Sequence, residues 1–196
     1  MSDLVRQVRV AVEERINKPT QSIAHRADHL ERVMQNAKAI AATLEGVDSE
    51  LLELAVLLHD VDQPVGRKGE HVALSMKAAK EILEQAGCPE ERTALVLRII
   101  SEHSSEHVES REPSSVEARV LFDADKLDGL GAVGIARVFS LFGQMNCSIK
   151  DAIPWYRKKI DLSLRHVQTE EGRRLCDAEL PFVLRFLEQL ESELKR

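Results

Sequence analysis

The chain has 196 residues, of which 43% are hydrophobic and 31% charged, a mixture typical of a soluble globular protein with a buried core. Its formal net charge of −6 argues against binding to nucleic acid polymers, which favour a basic surface. Its three cysteines have no CxxC spacing, which predicts reduced thiols rather than a disulfide framework or a zinc knuckle.

Hydrophobic residues recur at intervals of three to four along nearly the whole chain, which predicts helices. The first helix should end before Pro19. Ser22 is the predicted N-cap of a second helix that stops at Gly46. Asp48 should cap a third, LLELAVLLHD, whose apolar residues on nearly all sides place it at the centre of the core. The segment QPVGRKG then predicts a loop.

Three further helices are expected at about 70–86, 90–102 and 115–128. The run ARVLFD in the last of them is also compatible with a strand, but its apolar stripe and its neighbours favour a helix.

The C-terminal part of the chain should be helical as well. After two glycines at 129 and 131 the helical pattern resumes, and Ser148 begins the penultimate helix. Thr169 opens the last helix, which Pro181 should kink or divide.

These patterns predict an all-α fold, a single compact helical bundle in one domain over residues 1–196. No apolar run approaches the roughly 18 residues that span a bilayer, and the N-terminus lacks a signal-peptide core. We therefore expect a cytoplasmic protein with no membrane partner. The oligomeric state is left open.

His59 and Asp60 end the most hydrophobic predicted helix. Adjacent helical residues point about 100° apart, so both reach one ion only if it lies at the helix end. A buried, unpaired carboxylate costs several kcal/mol, which a divalent cation would offset. Imidazole and carboxylate suit manganese, iron, zinc or nickel. The alternative is a helix-end pair that simply reaches solvent.

Other histidines and aspartates are spread along the chain. His25 and His29 are four residues apart and should share a helical face. Asp123 and Asp125 lie in the segment FDADKLD, in which Asp123 is expected to be structural or exposed.

Four segments, HRADHLERV, LAVLLHDVD, IISEH and ARVLFDADKLDGLGAVGIARVF, resemble the HD-domain metal-dependent phosphohydrolase superfamily in order, spacing and flanking residues. The small single-domain branch from bacteria and archaea is the most similar. The resemblance covers nearly the whole chain, and DADKLDGLGAVGIAR is its most specific stretch. It implies an HD-domain helical bundle that acts as a hydrolase.

The resemblance also implies a metal site. His29, His59, Asp60 and Asp125 match the positions that hold one divalent ion in the family, so the cofactor would be Mn, Mg, Fe, Co, Ni or Zn. The implied reaction is cleavage of a phosphoester or phosphoanhydride bond in a small phosphorylated metabolite, with a nucleotide as the leading candidate.

Two alternatives stay open at this point. One is a hydrolase of cyclic nucleotides or of alarmones, although the glycine-tyrosine-proline block and paired histidines of the cyclic-dinucleotide branch are absent. The other is a non-catalytic HD-fold module that binds a nucleotide or regulates a partner. The presence of all four metal-ligand positions favours an enzyme.

His71 and His103 stand in contexts where the resembled family carries histidines. We expect them to bind substrate phosphate, with a second metal ion as the competing role. His25 is expected either to support the site or to be a partly exposed helix residue. Lys126 is a candidate contact to phosphate, and Asp128 a candidate support for the ligands.

One position departs from the family. Related sequences often place a proton-transferring carboxylate three residues after the HD aspartate, where this chain has Gln63. Asp62, one residue earlier, is therefore the candidate catalytic acid.

Arg67 and Lys68 in the loop could bind phosphate, or they could simply make the loop more soluble. Trp155 is expected to be a packing residue, with a platform for a base as the alternative.

Overall fold

The computed structural model describes residues 2–65, 70–104 and 113–195. Within these ranges the protein forms nine α-helices, a 3-10 helix at Ile23–His25 and no strand, so the predicted all-α fold is confirmed. The helices are α1 (Asp3–Ile16), α2 (Ala27–Ala41), α3 (Ser49–Leu58), α4 (His71–Gln85), α5 (Glu90–Glu102), α6 (Val116–Leu127), α7 (Gly131–Gln144), α8 (Ile149–Arg165) and α9 (Glu170–Glu193). None of the described helices has the length and apolarity that crossing a membrane requires.

Several helices begin at polar residues that satisfy free backbone N–H groups. The side chains of Asp48 and Thr169 each accept a hydrogen bond from the N–H group three residues further on, as the sequence predicts. At α8, Ser148 and Asp151 form a reciprocal capping box. Helices α4, α5 and α6 match their predicted ranges closely, and the run ARVLFD is helical.

The chain around Ser22 differs from the prediction. The Ser22 hydroxyl caps the 3-10 helix rather than α2. Arg26 then adopts an extended backbone, with φ −88° and ψ −175°, so α2 begins only at Ala27. Helix α2 also ends at Ala41, well before Gly46. The predicted continuous helix is therefore wrong here, because Arg26 interrupts it.

Helix α3 lies at the centre of the larger apolar cluster, as predicted. Its residues from Leu54 to Leu58 are all buried, and α1, α2, α4, α5 and α6 all contact it. Because these neighbours cover α3 on all sides, the residues that follow its C-terminus also enter the protein interior.

Helices α7, α8 and α9 enclose a second apolar cluster. Tyr156 on α8 is buried in it, and its hydroxyl donates a hydrogen bond of 2.8 Å to the carbonyl of Gly129, in the turn after α6. Helix α9 continues through Pro181, so the expected division does not occur. Buried residues on both sides of the proline, such as Cys176 and Val183, offset the lost hydrogen bond by packing.

Candidate metal centre

His59 and Asp60 directly follow Leu58, the last residue of α3. Both are buried. His59 Nδ1 is 2.9 Å from the carbonyl oxygen of Val56, a distance at which Nδ1–H donates and the Nε2 lone pair points away. Burial lowers the pKa of His59 to about 4, against the opposing pull of Asp60 and Asp125. The ring is therefore neutral near pH 7, which is the form that binds metals.

His29 comes from α2 and is also buried. Its Nδ1 is 2.8 Å from Asp128 Oδ2 and donates to that carboxylate, which leaves Nε2 as an acceptor. This Nε2 is only 3.3 Å from His59 Nε2. When both rings carry their proton on Nδ1, the two Nε2 lone pairs face each other, and a shared metal ion or proton would remove their repulsion.

Asp60 and Asp125 bring carboxylate oxygens to the same point. Asp60 Oδ2 is 3.9 Å from His29 Nε2 and 3.5 Å from His59 Nε2. Asp125 Oδ1, from α6, is 3.8 Å from His29 Nε2 and 3.9 Å from His59 Nε2. Two ligands that each bind one ion at about 2.1 Å can lie at most about 4.2 Å apart, so these pairs have suitable separations.

The four donors together fit a divalent ion. One ligand atom from each of His29, His59, Asp60 and Asp125 lies within 4.8 Å of the other three. Asp60 Oδ1 is buried and accepts no hydrogen bond from the described residues, although His103 Nε2 lies 3.4 Å away. Burial alone would raise the pKa of Asp60, but the surrounding imidazoles, His59 first, hold it well below its ordinary range. A charged Asp60 carboxylate beside the neutral His59 imidazole, with His29 Nε2 and an Asp125 oxygen close by, is a donor set that could hold a divalent metal.

Asp128 orients one of these donors. It receives His29 Nδ1–H, and Arg32 Nε and Arg137 Nη1 donate to it at 2.6 Å each. Burial would raise the pKa of Asp128, but the hydrogen bonds from His29 and Arg32 lower it. A carboxylate of this kind fixes the tautomer and the ring orientation of a metal-binding histidine.

His71 and His103 lie beside the same aspartate. One ligand atom from each of Asp60, His71 and His103 falls within 4.8 Å of the other two, which forms a second group capable of holding a metal. His103 caps α5, and its Nδ1 donates to the Ile100 carbonyl at 2.6 Å. The His71 and His103 rings are 5.8 Å apart.

His25 also borders the cluster, although not for the reason the sequence suggests. It belongs to the 3-10 helix and His29 to α2, so the two do not share the face of one helix. Their rings are nevertheless 5.3 Å apart, and His25 Nε2 is 3.8 Å from Asp60 Oδ2.

The candidate acid Asp62 is engaged elsewhere. Arg15 Nη2 donates to its Oδ2 at 2.8 Å and Gln21 Nε2 to its Oδ1 at 2.9 Å. Burial would raise the pKa of Asp62, but these hydrogen bonds and the charge of Arg15 lower it. A carboxylate held in its charged form by arginine is a poor proton donor, so the geometry does not favour this role.

Four other candidate residues were named from the sequence, Lys126, Asp123, Arg67 and Lys68. The buried Lys126 ammonium donates to Asp125 Oδ2 at 2.6 Å and to the His103 carbonyl at 2.9 Å. These two bonds make it a less suitable contact for phosphate than the sequence suggests. Asp123 is buried and structural, since it accepts hydrogen bonds from the start of α9. Arg67 and Lys68 lie outside the described residues.

Sequence reasoning missed two cations near the cluster, Arg137 and Lys159. Arg137 lies six residues after Gly131 in the most specific motif, so its presence in that stretch was a signal, although its contact with Asp128 could not be read from the sequence. Lys159 follows the buried Tyr156 by three residues, so a helical wheel would have placed it on the inner face of α8.

A family model for the HD domain matches residues 26–130, a stretch that contains all four donors. The chain belongs to the HD domain family. This match covers more than half of the chain and includes the turn after α6.

Relatives of this HD protein span nearly its whole length. YpgQ of Bacillus subtilis, an uncharacterized protein, is 29% identical over 180 residues, which are 89% of this chain and 86% of YpgQ. A crystal structure of YpgQ in complex with ADP has a TM-score of 0.72, with 96% of this chain and 97% of that one covered at 27% identity.

Two further crystal structures are similar. An HD-superfamily hydrolase of Bacillus thuringiensis is 26% identical, with a TM-score of 0.68 and coverage of 97% and 96%. A protein of Lactobacillus plantarum has a TM-score of 0.84 at 22% identity, with 100% and 99% covered, which is evidence of a shared fold alone.

Proposed function

We propose that this HD protein is a metal-dependent phosphohydrolase whose substrate is a small phosphorylated metabolite, with a nucleotide as the leading candidate. The observation that carries the proposal is the convergence of His29, His59, Asp60 and Asp125 at the end of α3. The ADP bound to the related YpgQ supports a nucleotide as the ligand class. The bond cleaved would be a phosphoester or a phosphoanhydride.

In this proposal the four donors hold one divalent ion. When bound, such an ion supplies Lewis acidity, which lowers the pKa of water and neutralises charge on a phosphoryl oxygen. Asp128 holds His29 in the tautomer that presents Nε2, and the Val56 carbonyl does the same for His59. The chain therefore offers preoriented donors that need no rearrangement to bind the ion.

We propose that His71 and His103 bind the phosphate of the substrate. A second ion shared with Asp60 is the competing role, and the grouping of Asp60, His71 and His103 is compatible with it. Metal analysis of purified wild type, His71→Ala and His103→Ala distinguishes the two. Phosphate binding predicts one ion per chain in all three proteins, together with weaker substrate binding in both variants. A second ion predicts that the stoichiometry falls from two toward one.

The experiment that tests the function is a substrate panel. Metal-stripped protein is reloaded with Mn²⁺, Mg²⁺, Co²⁺ or Ni²⁺ and offered nucleotides and phosphomonoesters, with phosphate and pyrophosphate release measured separately. We expect hydrolysis only with metal. The Asp60→Ala variant should lose metal and activity yet remain helical, whereas Asp177→Ala, an exposed aspartate on α9, should behave as wild type.

Two outcomes would contradict the proposal. Turnover by metal-replete Asp60→Ala equal to that of the wild type would exclude this mechanism. Nucleotide binding by the wild type without turnover under any metal would favour the non-catalytic module instead.

A further inference from the structure

Lys126 directly follows Asp125 on α6, and its side chain is buried. Its ammonium donates to Asp125 Oδ2 at 2.6 Å and to the carbonyl oxygen of His103, the residue after α5, at 2.9 Å. The ammonium also lies 4.9 Å from the centre of the Phe122 ring, one helical turn earlier on α6. Three groups from two parts of the chain therefore hold this ammonium in place.

The two carboxylate oxygens of Asp125 have different surroundings. Oδ1 lies 3.8 Å from His29 Nε2 and 3.9 Å from His59 Nε2, so it is the oxygen that faces the other metal donors. Oδ2 instead accepts the hydrogen bond from Lys126. A hydrogen bond between two charged groups is among the strongest in proteins, and a buried ammonium that lost its carboxylate would be left uncompensated. Lys126 therefore retains Oδ2.

This division of the two oxygens matters because a carboxylate can bind a cation through one oxygen or through both. With one donor atom from each of the four side chains, an octahedral ion keeps about two open positions. If Asp125 also used Oδ2, about one position would remain. The proposed reaction needs one position for water and another for a phosphoryl oxygen.

We infer that Lys126 is a positioning residue that keeps Asp125 Oδ2 away from the ion, so that Asp125 binds through Oδ1 alone and a second coordination position stays open. The His103 carbonyl is the other anchor of the ammonium and does not belong to the four donors, so it keeps Lys126 in place whether or not an ion is bound. This inference rests on the proposed function, and it concerns how one of the four donors is restricted.

The test counts the water molecules that remain on Mn²⁺ bound to the full-length protein. Water-proton relaxation gives this count, and the broadening of the Mn²⁺ EPR lines in water enriched in the magnetic oxygen isotope checks it. The proteins are the wild type, Lys126→Met and, as the control, Lys150→Met, which removes an exposed lysine from α8. Mn²⁺ affinity and circular dichroism are measured for each protein.

We expect about two water molecules on Mn²⁺ in the wild type and in Lys150→Met. Lys126→Met should retain Mn²⁺ with about one, because Oδ2 is then free to bind the ion together with Oδ1. Its Mn²⁺ affinity should equal or exceed that of the wild type, since a cation beside the donors is removed. A lysine that only stabilises the fold would leave the water count unchanged.

Three results would overturn the inference. An equal water count in Lys126→Met and the wild type would show that the lysine does not restrict Asp125. Loss of Mn²⁺ binding by a folded Lys126→Met would show that it places the whole carboxylate instead. A wild-type count of about one would show that Lys126 leaves no second position open, and this result does not depend on whether any variant folds. Failure of the wild type to bind Mn²⁺ at all would contradict the proposed function itself.

Discussion

The orientation of His29 depends on a carboxylate that does not itself belong to the four donors. Asp128 receives the His29 Nδ1–H at 2.8 Å, and Arg32 and Arg137 fix the carboxylate in turn. Without this acceptor, the imidazole can rotate or place its proton on Nε2, the nitrogen that faces the other donors.

We predict that Asp128→Asn lowers Mn²⁺ affinity or turnover by about 10- to 100-fold while the protein stays helical. Titration calorimetry and activity assays measure the two effects. Asp28→Asn is the control, because Asp28 also pairs with Arg32 but is exposed, and it is Asp128 that accepts the hydrogen bond from the His29 ring. Equal Mn²⁺ affinity in Asp128→Asn and Asp28→Asn would show that the carboxylate does not position the ligand.

The sequence predicted which residues meet at the centre better than it predicted how they are held. A resemblance of motifs was sufficient to select His29, His59, Asp60 and Asp125, because the family keeps these positions in order along the chain. The partner of each side chain depends on distances between helices, which motifs do not contain. Asp62 could therefore be chosen as an acid although Arg15 and Gln21 hold it.

At the scale of helices, α7 packs closely on the turn after α6. A Cβ atom at Gly134 would overlap the carbonyl group of Gly129, whereas a Cβ atom at Gly143, on the same helix, would meet nothing within 4 Å. Glycine has a low helix propensity at both positions. The two positions differ only in whether there is room for a Cβ atom.

We predict that Gly134→Ala lowers the free energy of unfolding by about 1–3 kcal/mol, since the backbone of the turn must move. Gly143→Ala should instead raise it by about 0.4–1 kcal/mol, because alanine reduces the entropy of the unfolded chain. Urea denaturation of both variants measures the difference. Equal stability of the two variants would mean that α7 does not approach the turn as described.

Helix positions followed largely from the sequence, because hydrophobic period and capping residues are local properties. Asp48 and Thr169 cap their helices as the pattern indicates. The exceptions arise where tertiary structure overrides local preference. Arg26 interrupts the apolar pattern after Ser22 with an extended backbone, and α9 passes through Pro181 because packing on both sides supports it.

For the molecule as a whole, the candidate metal centre brings together side chains from helices that are distant in sequence. Its four donors come from α2, the end of α3 and α6. An ion held between these elements stabilises only the folded chain, since the unfolded chain does not bring the donors together. The single domain over residues 1–196 stays a prediction.

We predict that Mn²⁺ at about 100 times its Kd adds about 2.7 kcal/mol of stability, which corresponds to a rise of about 5–10 °C in Tm for a chain of this size. Thermal unfolding with Mn²⁺ and with EDTA measures the rise. Asp60→Ala should show no such rise. The same shift in Asp60→Ala would place the stabilising ion elsewhere.

We propose that His29, His59, Asp60 and Asp125 together hold one divalent ion. The most direct measurement is an anomalous difference map from crystals of the Mn²⁺-loaded protein. We predict a peak roughly 2 Å from His29 Nε2, His59 Nε2 and one carboxylate oxygen each of Asp60 and Asp125. A well-ordered Mn²⁺ peak elsewhere in the molecule, with none between these four residues, would contradict it.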